Sequence, residues 1–491
     1  MSKAAFIFKL SLGLSLGLSL LFGIQNFAQG ASSQYLDNLM SVIKPTHSQV
    51  GVTVTDLSAN AQVFTYNADT LFIPASTQKL LTAVAATAHL PASFRYQTAL
   101  YSNGVIDGDT FLGDLYLQFS GDPTLSSDNI RELFKQLADK GVHRVNGNLY
   151  LVGELNEQQQ APGWVWDDLG ICYAAPVSSF VIDQNCLQGE LKPRGGGSVL
   201  SFPSYLPVSL TTQAHFDARA QDPFCQLQLR RGPDNQFTIT GCYSGTNPVP
   251  LSIALSDPAL YAKAWVPQLA LSGKIQINGK VQIIEESQIN VNSQIVALHE
   301  SVSLPKLLTK MLEDSNNLIA DSLFKAIGGS VYHTRGDFIN GAQAMIKLLK
   351  EEGVDLSHAQ IVDGSGLSRY NLLSANQLAQ VLALIARDSR FSGLRDMLPI
   401  AGETGTLRNK SHYHSGVLKE RVIAKTGSMQ GVDNLAGFLT IDTRRSLLFV
   451  ILENGQSPKA KASQLAPFSA LFLQSVLDQA GSEPTLAIGA Q

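Results

Sequence analysis

A long stretch of one texture interrupts a chain of another. From about Phe94 to Ser293, short strand-like pieces alternate with turns rich in Gly, Asp, Asn and Pro, such as Asp107-Gly108-Asp109 and Ser120-Gly121-Asp122-Pro123. On either side, helical periodicity and a few longer alternating runs take over. Such a block reads as an insertion into a host domain. The expected architecture is α+β, with one domain split into residues 31–93 and 294–491 around a β-rich insertion, 94–293. The insertion is read as two subdomains, the second over 170–248.

The host pieces complement each other. Gln49 to Asp56 alternates as a strand does, Gln62 to Tyr66 is a second strand, and the two form a hairpin. Three more strands close the chain at Arg421–Lys425, Asn434–Ile441 and Ser446–Leu452. Hairpin and meander combine into one antiparallel sheet, packed on one face against helices expected near Leu304–Asp314, Asn317–Ala326, Gly336–Glu352, Ser374–Asp388 and Ala462–Gln479.

Lys3 and Lys9 precede a charge-free apolar stretch, Leu10 to Phe22, followed by the small-residue site Ala28-Gln29-Gly30. That run is shorter than the roughly 20 residues a membrane helix needs. It reads as a signal peptide over 1–30, cleaved near Gly30, which directs the chain to the periplasm with at most peripheral membrane contact. Cys172, Cys186, Cys225 and Cys242 fit an oxidising compartment. Of the three possible pairings, the local ones, Cys172–Cys186 and Cys225–Cys242, are preferred. Zinc ligands usually come as closely spaced cysteine pairs, and none is present. Charged residues are 15% of the chain and the net charge is −4, without a basic block, so a nucleic-acid partner is not expected. Nothing in the sequence sets an oligomeric state.

Three short strings carry chemistry. Ser76-Thr-Gln-Lys79 opens a helix that has no charge from Leu80 to Ala88. A lysine three residues after a serine lies one turn on, over the same face. Burial lowers a lysine pKa, so its neutral amine can take the serine proton. The bland alternative is a helix cap, and Ser41-Val-Ile-Lys44 and Ser303-Leu-Pro-Lys306 repeat the pattern without the apolar helix. Ser315-Asn316-Asn317 sits between two helices, where Ser315 can relay a proton and Asn317 can hold a substrate carbonyl; capping is again the plain alternative. Lys425-Thr426-Gly427-Ser428 ends a strand. There Gly427 admits a ligand backbone close to the edge, Lys425 and Thr426 suit a carboxylate, and the N–H of Ser428 can join that of Ser76 as an oxyanion hole. The alternative is a solvated edge protected by lysine.

The ordered set S-x-x-K, S-x-N, K-T-G is the signature of penicillin-binding proteins and serine β-lactamases. With about 240 residues between Ser76 and Ser315, the chain resembles the penicillin-binding protein 4 type of D-alanyl-D-alanine carboxypeptidase/endopeptidase, the low-molecular-mass class C penicillin-binding proteins. The likeness extends to Ser120-Gly-Asp-Pro-Thr-Leu125, Asp363-Gly-Ser-Gly-Leu367, Gly402-Glu-Thr-Gly-Thr-Leu407 and the segment from Gly163 to Tyr173.

The resemblance implies a serine β-lactamase/transpeptidase-like host domain and hydrolysis of peptidoglycan stem peptides and cross-links. Ser76 would be the nucleophile, Lys79 its base, and Ser315 with Lys425 the proton path to the leaving amine. Thr426, Gly427, Ser428 and Asn317 would hold the substrate. Asp168 and Tyr173 would line a pocket for the ammonium of a diaminopimelate side chain, with Asp167 as an alternative to Asp168. β-Lactams would acylate Ser76, and no metal or organic cofactor is implied. A serine β-lactamase is the nearest rival, but no E-x-x-x-N lies between Ser315 and Lys425. A wall-binding protein without turnover is the other.

Overall fold

A computed structural model describes residues 34–245, 248–289 and 293–482. The expected signal peptide lies outside the described residues. No helix among them is long and apolar enough to cross a membrane. The chain divides into two compact units: Met1–Leu80 with Val354–Ala359 and Leu372–Gln491, and Leu81–Gly353 with Gln360–Asn371.

The first unit is built on one antiparallel sheet. Its strands are β1 (Gln49–Asp56), β2 (Ala61–Tyr66), β3 (Val422–Met429), β4 (Val432–Thr440) and β5 (Ser446–Asn454), in the spatial order β3-β4-β5-β1-β2. The last strand of the chain thus slots between the meander and the early hairpin, with Val52 opposite Ile451. On β1, Val50, Val52 and Val54 point into a core shared with Phe449, Ile451 and the C-terminal helix, Phe468–Ser482. The intervening Thr53 points the other way and donates to Asn376 Oδ1 at 2.9 Å, on the helix Ala375–Arg387. The expectation of a sheet packed on one face is corrected here. β4 and β5 are buried almost throughout, and the unbroken apolar run Leu447 to Leu452 is what a strand covered on both faces needs. All five strands fall where alternation and turn signals put them, and β3 runs on past Lys425 to Met429.

The second unit carries the β-rich block and two helices of its own, Ser127–Ala138 and Pro258–Ser272. Strand Gln97–Ser102 pairs antiparallel with Gln294–Glu300, so the ends of the block lie side by side in one mixed sheet. Smaller sheets follow around the cysteines, which form Cys172–Cys186 and Cys225–Cys242. With all four sulfurs in disulfides, none is a zinc thiolate. The helices Leu304–Glu313 (α1) and Asn317–Tyr332 (α2) also belong to this unit.

Candidate active site

Ser76 sits on a 3-10 turn, Ala75–Gln78, that leads into the helix Lys79–His89. Ala75 is in the left-handed region, φ +46°, which a residue with a side chain occupies at some cost. The turn is held from outside. Asn434 on β4 donates its Nδ2 to the carbonyls of Ile73 and Pro74, both at 2.9 Å, and accepts from the Glu453 N–H. Asn454 at the end of β5 accepts from the Ile73 N–H at 2.8 Å. Neither asparagine stands out in the sequence, because their partners are far away along the chain.

On this turn Lys79 Nζ donates to Ser76 Oγ at 2.8 Å. Lys79 is fully buried, whereas Ser76 is partly open. The helix that follows is buried from Leu80 to Ala86.

β3 brings the third string to the same turn. A Cβ on Gly427 would lie 2.7 Å from the Pro74 carbonyl oxygen and 3.1 Å from Thr77 atoms. The glycine is therefore required by the protein's own backbone, where the sequence reading assigned it to a ligand. Lys425 is fully buried, not a solvated edge lysine, and its Nζ donates to the Thr426 carbonyl at 3.1 Å. Burial holds its ammonium well below the ordinary lysine range, and repulsion from Lys79 adds to this. The Thr426 hydroxyl pairs with that of Thr406 at 2.8 Å, and Ser428 is exposed. β3 is an edge strand whose first half is bridged at Ile400–Ile423. Beyond it no strand among the described residues pairs with Thr426 to Ser428 on the outer side, so an extended peptide can add there.

The remaining candidates belong to the second unit. Ser315 takes φ +60° between α1 and α2. Asn316 caps α2, accepting from the Ile319 N–H at 2.9 Å, so the capping alternative holds for this middle residue. Asn317 Nδ2 donates to the Tyr173 carbonyl at 2.8 Å. Tyr173 in turn donates its hydroxyl to Asp168 Oδ1 at 2.5 Å. Burial first, then this bond, pushes the tyrosine pKa up, with Arg369 pulling the other way. Of the two candidate carboxylates, Asp168 is the one engaged with Tyr173, while Asp167 is exposed.

A residue the sequence reading passed over organises this region. Asp363 is fully buried and accepts from Trp164 Nε1, the N–H groups of Gly366 and Ser368, and Asn371 Nδ2, at 2.6–2.9 Å. It ties the segment bearing Asp168 and Tyr173 to the loop bearing Arg369. The string Asp363-Gly-Ser-Gly-Leu367 stands out in the sequence only through the family likeness, and nothing in it marks a buried carboxylate as a hub.

Comparison with known proteins follows the same outline. Residues 33–472 match the model of the D-Ala-D-Ala carboxypeptidase 3 (S13) family. The chain is 34% identical to D-alanyl-D-alanine carboxypeptidase DacB of Haemophilus influenzae, over 92% of this chain and 95% of that one. It is 28% identical to a D-alanyl-D-alanine carboxypeptidase of Actinomadura sp., over 84% and 78%. Penicillin binding protein 4 from Haemophilus influenzae superposes with a TM-score of 0.82 at 32% identity, covering 90% of this chain and 98% of that one. A second crystal structure of that protein, with a β-lactam bound, gives 0.79 over the same shares.

Proposed function

Since the chain belongs to the D-Ala-D-Ala carboxypeptidase 3 (S13) family, we propose that it hydrolyses D-alanyl-D-alanine ends of peptidoglycan stem peptides, and D,D-cross-links between them, through an acyl-enzyme on Ser76. The observation that carries this reading is the 2.8 Å bond between Ser76 Oγ and the fully buried Lys79 amine, with the Lys425 amine acting on the same spot.

In the reaction the substrate strand adds to the open edge of β3. Lys79, as the free amine, takes the proton of Ser76 while Oγ attacks the D-alanine carbonyl carbon. The backbone N–H groups of Ser76 and Ser428 receive the oxyanion. The C–N bond then breaks, and the proton that Lys79 took passes through Ser315, with Lys425 nearby, to the leaving amine, which leaves Lys79 a free amine again. Thr426, Ser428 and Lys425 hold the terminal carboxylate, and Asn317 holds the stem amide. Water attacks the ester, Lys79 again serving as base, and Ser76 is restored. The Asp168–Tyr173 pair receives the free ammonium of the diamino acid. A β-lactam acylates the same oxygen and leaves slowly. The two disulfides and the apolar start of the chain support export to the periplasm.

The test is acylation by fluorescent penicillin, together with digestion of pentapeptide monomers and cross-linked dimers. The expected result is stable labelling and D-alanine release by the native chain, and neither by Ser76→Ala. Labelling that persists in Ser76→Ala refutes the nucleophile, and rapid loss of label from the native chain favours a β-lactamase.

A further inference from the structure

The string Gly402-Glu-Thr-Gly-Thr-Leu407 has no part in the mechanism above, yet it ends against the strand that carries Lys425-Thr426-Gly427-Ser428. It closes in a tight turn, Gly405–Leu407, with Gly405 at φ +52°. The protein fixes this turn without help from a ligand. Leu407 is fully buried in the core of the first unit, and its carbonyl accepts from the Gly402 N–H at 3.1 Å. The Thr404 hydroxyl accepts from the Ile400 N–H at 3.0 Å. The Ala401 N–H donates to the Val422 carbonyl at 2.9 Å, which ties the segment to β3.

Thr406 is the side chain that this turn offers to β3. Its Oγ1 lies 2.8 Å from Oγ1 of Thr426, itself a buried residue. A hydroxyl has one proton to give and two lone pairs with which to accept. The direction of the Thr406–Thr426 bond therefore decides what Thr426 shows to a substrate. With its proton given to Thr406, Thr426 has only lone pairs left, and these repel a carboxylate. With the Thr406 proton received instead, Thr426 keeps its own proton for an anion, and accepting the one bond strengthens the other.

The surroundings suit the second arrangement. Ser428, two residues on, lies on the same face of β3 as Thr426, and Asp433 stands opposite Ser428 on β4. Asp433 is buried and bonded by two ammonium groups, Lys410 at 3.3 Å and Lys461 at 3.0 Å, so it is not a bare negative charge beside the two hydroxyls.

We propose that Thr406 is a positioning residue for the terminal carboxylate of the substrate. By donating to Thr426 it frees the single Thr426 proton for that carboxylate, and so makes this end of the site select a free acid over a neutral chain end. This rests on the function proposed above, in which Thr426 holds the carboxylate.

The test uses two pentapeptides, L-Ala-γ-D-Glu-diaminopimelate-D-Ala-D-Ala and the same peptide ending in D-alanine amide. Each is given to the native full chain, to Thr406→Val and to Thr406→Ser. Valine keeps the branched shape and removes the hydroxyl, whereas serine keeps the hydroxyl. The ratio of kcat/KM for acid and amide does not depend on how much of a variant is folded. Thr406→Val is expected to reduce the native preference for the acid about fivefold, and Thr406→Ser to retain it. For the acid alone, KM in Thr406→Val is expected to rise severalfold with kcat close to native. An acid-to-amide ratio or an acid KM that stays native in Thr406→Val overturns the role of Thr406, as does a loss in Thr406→Ser as large as in Thr406→Val. A native chain that releases no D-alanine from the acid overturns the peptidase reading itself, and the role of Thr406 with it.

Discussion

The two units each bury a lysine, and they treat it in opposite ways. In the second unit, Lys325 is met by two carbonyls, by Glu157, and by the face of Phe338 4.9 Å away. Burial lowers its pKa, but Glu157, Glu154 and Asp321 pull it back up. In the first unit, Lys425 has burial and the Lys79 amine acting on it, and both lower its pKa. An ammonium surrounded by acceptors works as a strut, pinning α2 to the segments 157–158 and 177. An amine whose neighbour is another amine is poised to exchange protons. Burial alone does not separate the two; the chemistry of the surrounding shell does.

The strongest way to break this contrast is to remove the amines one at a time. Lys79→Met is expected to lower kcat/KM for D-alanine release by at least about a thousandfold, because the serine loses its base. Lys325→Met is expected to leave kcat unchanged in whatever fraction stays folded. Turnover near the native rate in Lys79→Met removes the catalytic half of the comparison.

Stability should reverse the ranking. Lys325→Met strands the Glu157 carboxylate, buried with only Ser178 and Ser179 to satisfy it, and is expected to cost about 3–5 kcal/mol in denaturant unfolding. Lys425→Met relieves a desolvated amine and is expected to hold or raise Tm at pH 7 while abolishing activity. The pH dependence gives the sign. Lys425 has a depressed pKa in the folded state, so between that pKa and the unfolded lysine value the unfolded chain binds more protons. Native stability therefore rises with pH from the folded pKa toward the unfolded lysine value, and falls as pH drops through the folded pKa. Lys425→Met should flatten that slope over the range that ends at the unfolded lysine value, about pH 10. An unchanged slope means that Lys425 stays charged in the fold.

What could be read beforehand follows how local each constraint is. Ser76 and Lys79 meet because they are one turn apart, and the period-two run from Gln49 to Asp56 shows in eight residues. The α+β class, the order of the strings and both disulfides rest on cues of this range. The hidden parts depend on distant partners. Asn434 holds Pro74 across 360 residues of chain, and Gly427 must be small because of Pro74, not because of anything beside it in sequence. Burial of β4 and β5 on both faces is similar: the apolar run from Leu447 to Leu452 permits it, and only the packed helices require it.

The smallest expected effect tests the positioning residue of the second unit. Asp363 takes donors on both oxygens, among them Trp164, Gly366, Ser368 and Asn371. In Asp363→Asn one of those oxygens becomes an NH2 facing a donor, so at least one bond is lost and the segment from Trp164 to Tyr173 loosens. The turn of Ser76 and its Lys79 bond lie in the other unit and keep their own contacts. The expected result is a severalfold rise in KM for a diaminopimelate-bearing pentapeptide, with kcat and the rate of penicillin acylation close to native. The same variant should discriminate less between that substrate and one whose side-chain ammonium is acetylated, because the Asp168–Tyr173 pair is no longer held in place. Equal losses in kcat and in penicillin acylation mean instead that Asp363 supports the nucleophile, and that the two units are not as separable in function as their lysines suggest.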